Sequence, residues 1–238
     1  MKAANMEYLQ EFAKNIWLAD GPVVRDMGTY FTTRMTIVKL ADGSIWINSP
    51  VPASFATLNE ISKLGDVRYL LAATPRHVWR LDAWHTLFPD AELWASRPTL
   101  FTLKKGDLPI SGYLSDTPIN AWSADFDQLE FKENPLLSEV LFFHKNSHTV
   151  ILDDLIMRNP VMKGKALTNL TFKLGGVQYP EGGVAIDMKM TFLNRNLARR
   201  SLEKLLSWDF DKLIIAHGVC IESGAKQYVE RAFKWLVK

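Results

Sequence analysis

Leu70-Leu71-Ala72-Ala73-Thr74-Pro75-Arg76-His77-Val78-Trp79-Arg80 reads as an apolar strand that ends in a polar residue and turns into a helix. Upstream, Val67–Ala73 is the kind of continuous apolar strand that a sheet buries on both faces. Downstream, His77–Phe88 has a helical pattern that stops at Pro89. Loops that follow apolar strands are where α/β sheets carry their binding residues, so this junction bears on both the fold and the site.

Working outward, Ile16–Ala19, Met35–Leu40 and Ser44–Asn48 read as strands, and Ala41-Asp42-Gly43 between the last two is a hairpin turn with glycine available for positive φ. Ser54–Leu64 reads as a helix, with Ser54 able to cap it and Phe55, Leu58, Ile61 and Leu64 at helical spacing. Glu92–Ala95 is a short strand and Arg97–Leu103 a short helix. The second half gives strands at Ile119–Trp122, Gln128–Phe131, Val140–His144 and Thr149–Leu152, read as antiparallel, with Lys145-Asn146-Ser147 joining the last pair. The pattern loosens from Leu155 to Gly183. A long helix over Asp187–Trp208, a strand at Leu213–Ala216 and an amphipathic helix over Glu222–Val237 complete the chain. Strands and helices alternate in two comparable halves, which suits a four-layer αββα sandwich of the α/β class, with residues 1–238 as a single domain.

A chain of 238 residues with 47% hydrophobic content has ample core for such a domain. Lys and Arg number 28 against 26 Asp and Glu, a balance with no electrostatic footprint for nucleic acid and no polybasic membrane patch. The N-terminus has neither an apolar signal core nor a small-residue cleavage site, and no apolar run has transmembrane length. The single cysteine, Cys220, excludes an intrachain disulfide framework and fits a reducing compartment. The expectation is a soluble cytoplasmic protein.

These residues resemble the metallo-β-lactamase superfamily, and more closely a divergent bacterial and plant branch of it of unknown function. The segments that carry the resemblance are Arg34-Met35-Thr36-Ile37-Val38, Asp42-Gly43-Ser44-Ile45-Trp46, Ser49-Pro50-Val51 and the Thr74–His77 junction. They continue with Phe88-Pro89-Asp90-Ala91, Phe142-Phe143-His144-Lys145-Asn146-Ser147, Asp153-Asp154-Leu155 and Ile214-Ile215-Ala216-His217-Gly218. In that superfamily the junction reads His-x-His-x-Asp-His and supplies four ligands to a two-metal hydrolytic centre, where water is activated by Lewis-acidic ions. Here Pro75 stands for the first histidine, His77 matches the second, Trp79 replaces the aspartate and Arg80 the third histidine. The next histidine is lost at Leu136-Leu137, and His144, at the far end of its strand, is a poor substitute. Asp154 matches the aspartate that bridges the ions and His217 the last histidine.

The motif is thus degraded, and a conventional two-metal site is not expected. Three readings stay open for His77, Asp154 and His217. They are leftover polar groups satisfied at strand ends, or Asp154 is paired by Arg80 in place of the lost metal, or the three hold a single ion in a two-histidine, one-carboxylate geometry. The function expected first is a non-hydrolytic ligand-binding or interaction protein, its pocket lined by His77, Arg80, Asp154 and His217, with a small molecule or a protein as partner. No cofactor and less than one equivalent of metal are expected. The alternative is a metal-dependent hydrolase with a reduced one-metal site, holding zinc or iron on His77, Asp154 and His217. In either case the three residues are expected at the C-terminal ends of neighbouring strands, facing one cleft. Asp82 and His85 read as a solvated pair, His148 as exposed, Cys220 as a small buried thiol and the tryptophans and methionines chiefly as core. No Gly-x-Gly-x-x-Gly, P-loop or Gly-x-Ser-x-Gly pattern occurs.

Overall fold

Single-residue alternation along the strands sets the layers of this molecule. The computed structural model describes residues 8–26, 28–97, 108–131 and 139–237, and these form two sheets. The first runs in chain order through β1 (Gln10–Ala13), β2 (Ile16–Asp26), β3 (Thr29–Lys39), β4 (Ile45–Asn48), β5 (Val67–Ala72), β6 (Glu92–Ala95) and β7 (Ile110–Tyr113). It is antiparallel from β1 to β4 and parallel from β4 to β7. The second sheet is built from β8 (Phe126–Phe131), β9 (Glu139–His144), β10 (Thr149–Leu152) and β11 (Lys212–Ile215), in the order β11-β10-β9-β8. Its pairs are antiparallel except β10 with β11.

Between the sheets, Trp46, Tyr69 and Leu71 meet Phe126, Val140, Phe142, Ile151 and Ile214 in one buried cluster. The Trp46 ring lies 4.9 Å from that of Phe126 and 5.0 Å from that of Phe142. The intervening residues point the other way, as a period of two requires. Ile45, Ile47 and Leu70 pack on Ile61 of α1 (Phe55–Leu64) and on Leu81 and Trp84 of α2 (Leu81–Leu87). On the other side Leu141, Phe143, Val150, Leu152, Leu213 and Ile215 pack on α5 (Arg195–Ser207), α6 (Ala225–Ala232) and α7 (Lys234–Val237), through Leu202, Leu205, Val229 and Leu236. The result is helix, sheet, sheet, helix. Continuous apolar strands are the sequence mark of this arrangement because both strand faces are buried.

Local chemistry explains the boundaries. Ser54 caps α1 by accepting from the Thr57 N–H. At the β3–β4 turn Asp42 accepts from the Ser44 N–H at 2.9 Å and Gly43 adopts φ 87°, a conformation that favours glycine. Several expectations are corrected. Ile119–Trp122 is no strand but a short 3₁₀ turn over Asn120–Trp122, with the Trp122 indole N–H donating to Gln128. The helix expected over Asp187–Trp208 is two, α4 (Ile186–Thr191) and α5, because Asn194 leaves the helix and caps α5 by accepting from the N–H groups of Asn196 and Leu197. The loosened stretch contains α3 (Ala166–Gly175). The antiparallel pairing expected of the two strands that Lys145-Asn146-Ser147 joins is observed, β9 against β10. Most of the helix expected over Arg97–Leu103 lies outside the described residues, as do Leu136 and Leu137. No helix among the described residues is long and apolar enough to cross a membrane.

The parallel pairs β4–β5 and β10–β11 bring four strand ends to one place. The two sheets are tied there by the Val140 N–H donating to the Ala73 carbonyl at 2.9 Å.

Candidate metal centre

Each of those strand ends hands over polar residues. β4 ends in Asn48 and Ser49, β5 is followed by Thr74 and His77, β10 by Asp153 and Asp154, and β11 by His217. Three of them converge. The Nε2 atoms of His77 and His217 are 3.2 Å apart, and Asp154 Oδ1 lies 3.5 Å from the first and 3.0 Å from the second. All three side chains are at least mostly buried, with 14%, 10% and 4% of their surface exposed.

The outward nitrogens of both rings are committed elsewhere, which decides the tautomers. His217 Nδ1 sits 2.7 Å from the Thr32 carbonyl, an oxygen that can only accept, so Nδ1 carries the proton. Ser49 donates its hydroxyl to Asp153 Oδ2 and thereby offers His77 Nδ1 an acceptor at 2.7 Å, with Asp153 Oδ2 itself at 3.2 Å. Both Nε2 atoms therefore face Asp154 as lone pairs when the rings are neutral. Histidines that ligate metals are oriented in this way, through a carbonyl or carboxylate behind the ring. Asp154 is supported too, since its Oδ2 accepts from Thr74 Oγ1 at 2.9 Å. Two lone pairs and a carboxylate packed this closely are satisfied either by a proton on one ring or by a metal ion held among the three. Burial lowers the His77 pKa, but Asp154 and Asp153 outweigh it and hold the imidazole well above its ordinary value. Burial likewise works against ionised Asp154, and the neighbouring His77 and His217 outweigh it, holding the carboxyl well below its ordinary range.

A second row of groups fixes the loops. The buried Glu139 carboxylate accepts from three successive backbone N–H groups, those of Asp153 at 2.6 Å, Asp154 at 3.0 Å and Leu155 at 2.6 Å. Burial and the nearby carboxylates of Asp153 and Asp154 push Glu139 well above the usual carboxylate range, and the backbone donors act against that. Asn48 donates to Asp153 at 3.0 Å and accepts from the Ala73 N–H at 3.2 Å, joining the two sheets at the site. Ser49 takes φ 55°, a left-handed conformation that costs a non-glycine residue about 1–2 kcal/mol. Gly218 follows His217 for a steric reason. Its φ is 117°, and a Cβ there would lie 2.1 Å from the Arg158 carbonyl oxygen.

The cluster opens into a cleft of about 640 Å³. Its wall includes Val24, Phe31, Val51, Val78, Trp79 and Met157. Arg80 lines this cleft but is exposed, and the ion-pair partners of Asp154 among the described residues are His77 and His217. The expected Arg80–Asp154 pair is thus corrected: Arg80 starts the helix from its outer side, and the imidazoles occupy the space around the carboxylate. Pro75 is buried and Trp79 half exposed on the cleft wall. His144 is buried at the opposite end of β9, bonded to Ser147. Cys220 accepts from the Arg34 guanidinium at 3.0 Å, and burial pushes its thiol up. Sequence reasoning missed Glu139, Asn48, Thr32 and the role of Ser49. The available signals were an acid opening the run Glu139-Val140-Leu141-Phe142-Phe143 and two polar residues closing the apolar Ile45-Trp46-Ile47.

Residues 15–171, about two thirds of the chain, match the family described as Domain of unknown function (DUF4336). The chain belongs to the DUF4336 family. No functionally curated protein matches it. Its architecture is that of the metallo-β-lactamase fold. The metal-soaked Flv1 flavodiiron core from Synechocystis sp. PCC6803 superposes with a TM-score of 0.63 at 12% identity, over 96% of this chain and 60% of that one. The chain therefore spans less than two thirds of that relative. The DIM-1 metallo-β-lactamase gives 0.63 at 12% identity over 95% and 96% of the two chains. A metallo-β-lactamase from Hirschia baltica gives 0.57 at 12% over 96% and 94%. At such identities the likeness carries the fold, and the chemistry of this DUF4336 member rests on its own residues.

Proposed function

We propose that this protein is a metal-dependent hydrolase with a single-ion site on His77, Asp154 and His217. The observation that carries the reading is the spacing of the three donors, 3.2, 3.0 and 3.5 Å. Donors placed tetrahedrally at about 2.0–2.1 Å from zinc are separated by about 3.3–3.4 Å. The donor chemistry fits as well, with two imidazoles in the Nδ1–H tautomer and one carboxylate, and with no fourth protein ligand among the described residues. Such a set leaves a position open toward the cleft, the mark of catalytic rather than structural sites.

A divalent ion held there would supply Lewis acidity, lowering the pKa of water toward neutrality and polarising an acyl or phosphoryl oxygen. The chain's own residues do the positioning. The Thr32 carbonyl and the Ser49–Asp153 pair hold the rings, Thr74 and the Glu139 cradle hold Asp154, and the cleft wall excludes water from the apolar part of a substrate. The donor spacing supports the hydrolase reading, and we prefer it here to the non-hydrolytic ligand-binding one, which the degraded motif puts first.

The test is turnover of 4-nitrophenyl esters and phosphodiesters by the purified protein. Activity should disappear on chelation, return with zinc and be absent in His217→Ala. Activity that survives chelation or the variant contradicts the reading. A metal-loaded protein that turns over none of them returns the preference to the ligand-binding protein.

A further inference from the structure

Charge in the cleft is one-sided. Four arginines line it, Arg25, Arg34, Arg76 and Arg80, against two carboxylates, Asp26 and Asp154. Both carboxylates are engaged: Asp154 faces His77 and His217, and Asp26 lies 3.6 Å from Arg76. Arg34 is turned inward, with Nε on Asp20 at 2.7 Å and Nη1 on the carbonyls of Ile215 and Gly218 at 3.0 and 2.7 Å. It thereby ties β3 to the loop that carries His217. Arg25 and Arg80 remain. Both are exposed, they reach the cleft from different elements, and neither has a carboxylate partner among the described residues. Arg25 comes from the β2–β3 hairpin, where its guanidinium lies 5.8 Å from the Tyr30 ring centroid. Arg80 comes from the 3₁₀ turn that begins at His77.

We propose that Arg25 and Arg80 form an anion-binding rim that selects small organic oxyanions, carboxylates or phosphoryl compounds, whose apolar body lies against Val24, Phe31, Val78, Trp79 and Met157. A guanidinium presents a planar fork of donors that matches a carboxylate or phosphoryl group in two parallel hydrogen bonds. The cleft, about 640 Å³, is of the size that encloses a ligand of this class. The near-balanced charge of the whole chain argues that the excess is local to this mouth and not a general polyanion surface. The assignment rests on the one-ion reading only for which end of the ligand reacts.

The experiment is calorimetric titration with phenylphosphonate, which this chemistry does not cleave, and with its neutral counterpart dimethyl phenylphosphonate. Metal-free and zinc-loaded protein are both titrated. The anion is expected to bind at least about tenfold more tightly than the neutral compound in both forms, a difference of about 1.4 kcal/mol. Arg25→Gln and Arg80→Gln should each remove most of that preference, and Arg80→Lys should keep part of it. Arg200→Gln, which removes the same charge from α5 on the far sheet, should leave it unchanged. No anion binding at millimolar concentration, equal affinity in Arg80→Gln, or an equal loss in Arg200→Gln overturns the proposal. So does a preference seen only with zinc, because the ion and not the arginines would then hold the anion. A chain that takes up no zinc yet keeps an arginine-dependent preference contradicts the hydrolase reading and leaves the rim standing.

Discussion

Asp154→Asn and His217→Ala are each expected to weaken zinc binding by about a hundredfold or more, roughly 2.7 kcal/mol or greater. Competition with a chromophoric chelator measures this. The magnitude follows from the donor set. With three protein ligands, losing one leaves two, while even the groups behind a ligand change metal affinity by about 10–100-fold. Asp154→Asn is the cleaner variant because it keeps the shape and the Thr74 bond while removing the charge the two Nε2 atoms face. Ser49→Ala should weaken binding less, toward the lower end of that range, because Asp153 stays 3.2 Å from His77 Nδ1 and can accept its proton directly. Equal affinity in parent and Asp154→Asn would mean that the ion, if bound, lies elsewhere.

Glu139→Ala is expected to cost the fold about 3 kcal/mol or more in urea unfolding, because the acceptor of three buried backbone donors is removed. Three backbone N–H groups lose their acceptor at once, and each unsatisfied buried donor costs about 1–3 kcal/mol before the loop relaxes. The loop that relaxes carries Asp154, so zinc affinity should fall with stability. Glu139→Gln separates the two effects. It preserves volume but turns one acceptor into a donor aimed at a backbone N–H, so it should remain folded with weakened zinc binding. A Glu139→Ala protein as stable as the parent would show that the loop is held by its other contacts.

The sequence made the layers legible through the central strands β4, β5, β9, β10 and β11, which are buried on two faces and read as largely apolar runs. It understated β2, which continues past Ala19 through Asp20-Gly21-Pro22, a stretch with the composition of a turn, because the long hairpin is only partly covered. It missed β7, whose Ile110-Ser111-Gly112-Tyr113 is short, half-exposed and offers no alternation to read. The break between α4 and α5 is hidden because apolar spacing runs on through Phe192 and Leu193, while the start of α5 is set by the Asn194 side-chain oxygen accepting from the N–H groups of Asn196 and Leu197. In the site, His77, Asp154 and His217 stood out because each follows an apolar strand. Their supports did not. Glu139 works through the backbone of the loop that begins fourteen residues on, after β10, and Thr32 through a carbonyl 185 residues from His217, relations that only the assembled sheets create. Arg80 misled for the converse reason. It is adjacent to the motif in sequence, yet the turn that places His77 inward directs Arg80 to the rim.

The most direct measurement is elemental analysis of the chain after equilibration with zinc and removal of the excess, done alongside His217→Ala. The donor geometry of His77, Asp154 and His217 leads to about one ion per chain in the parent and almost none in the variant. A parent that retains no metal, or one that retains the same amount as His217→Ala, would contradict a metal centre at these residues.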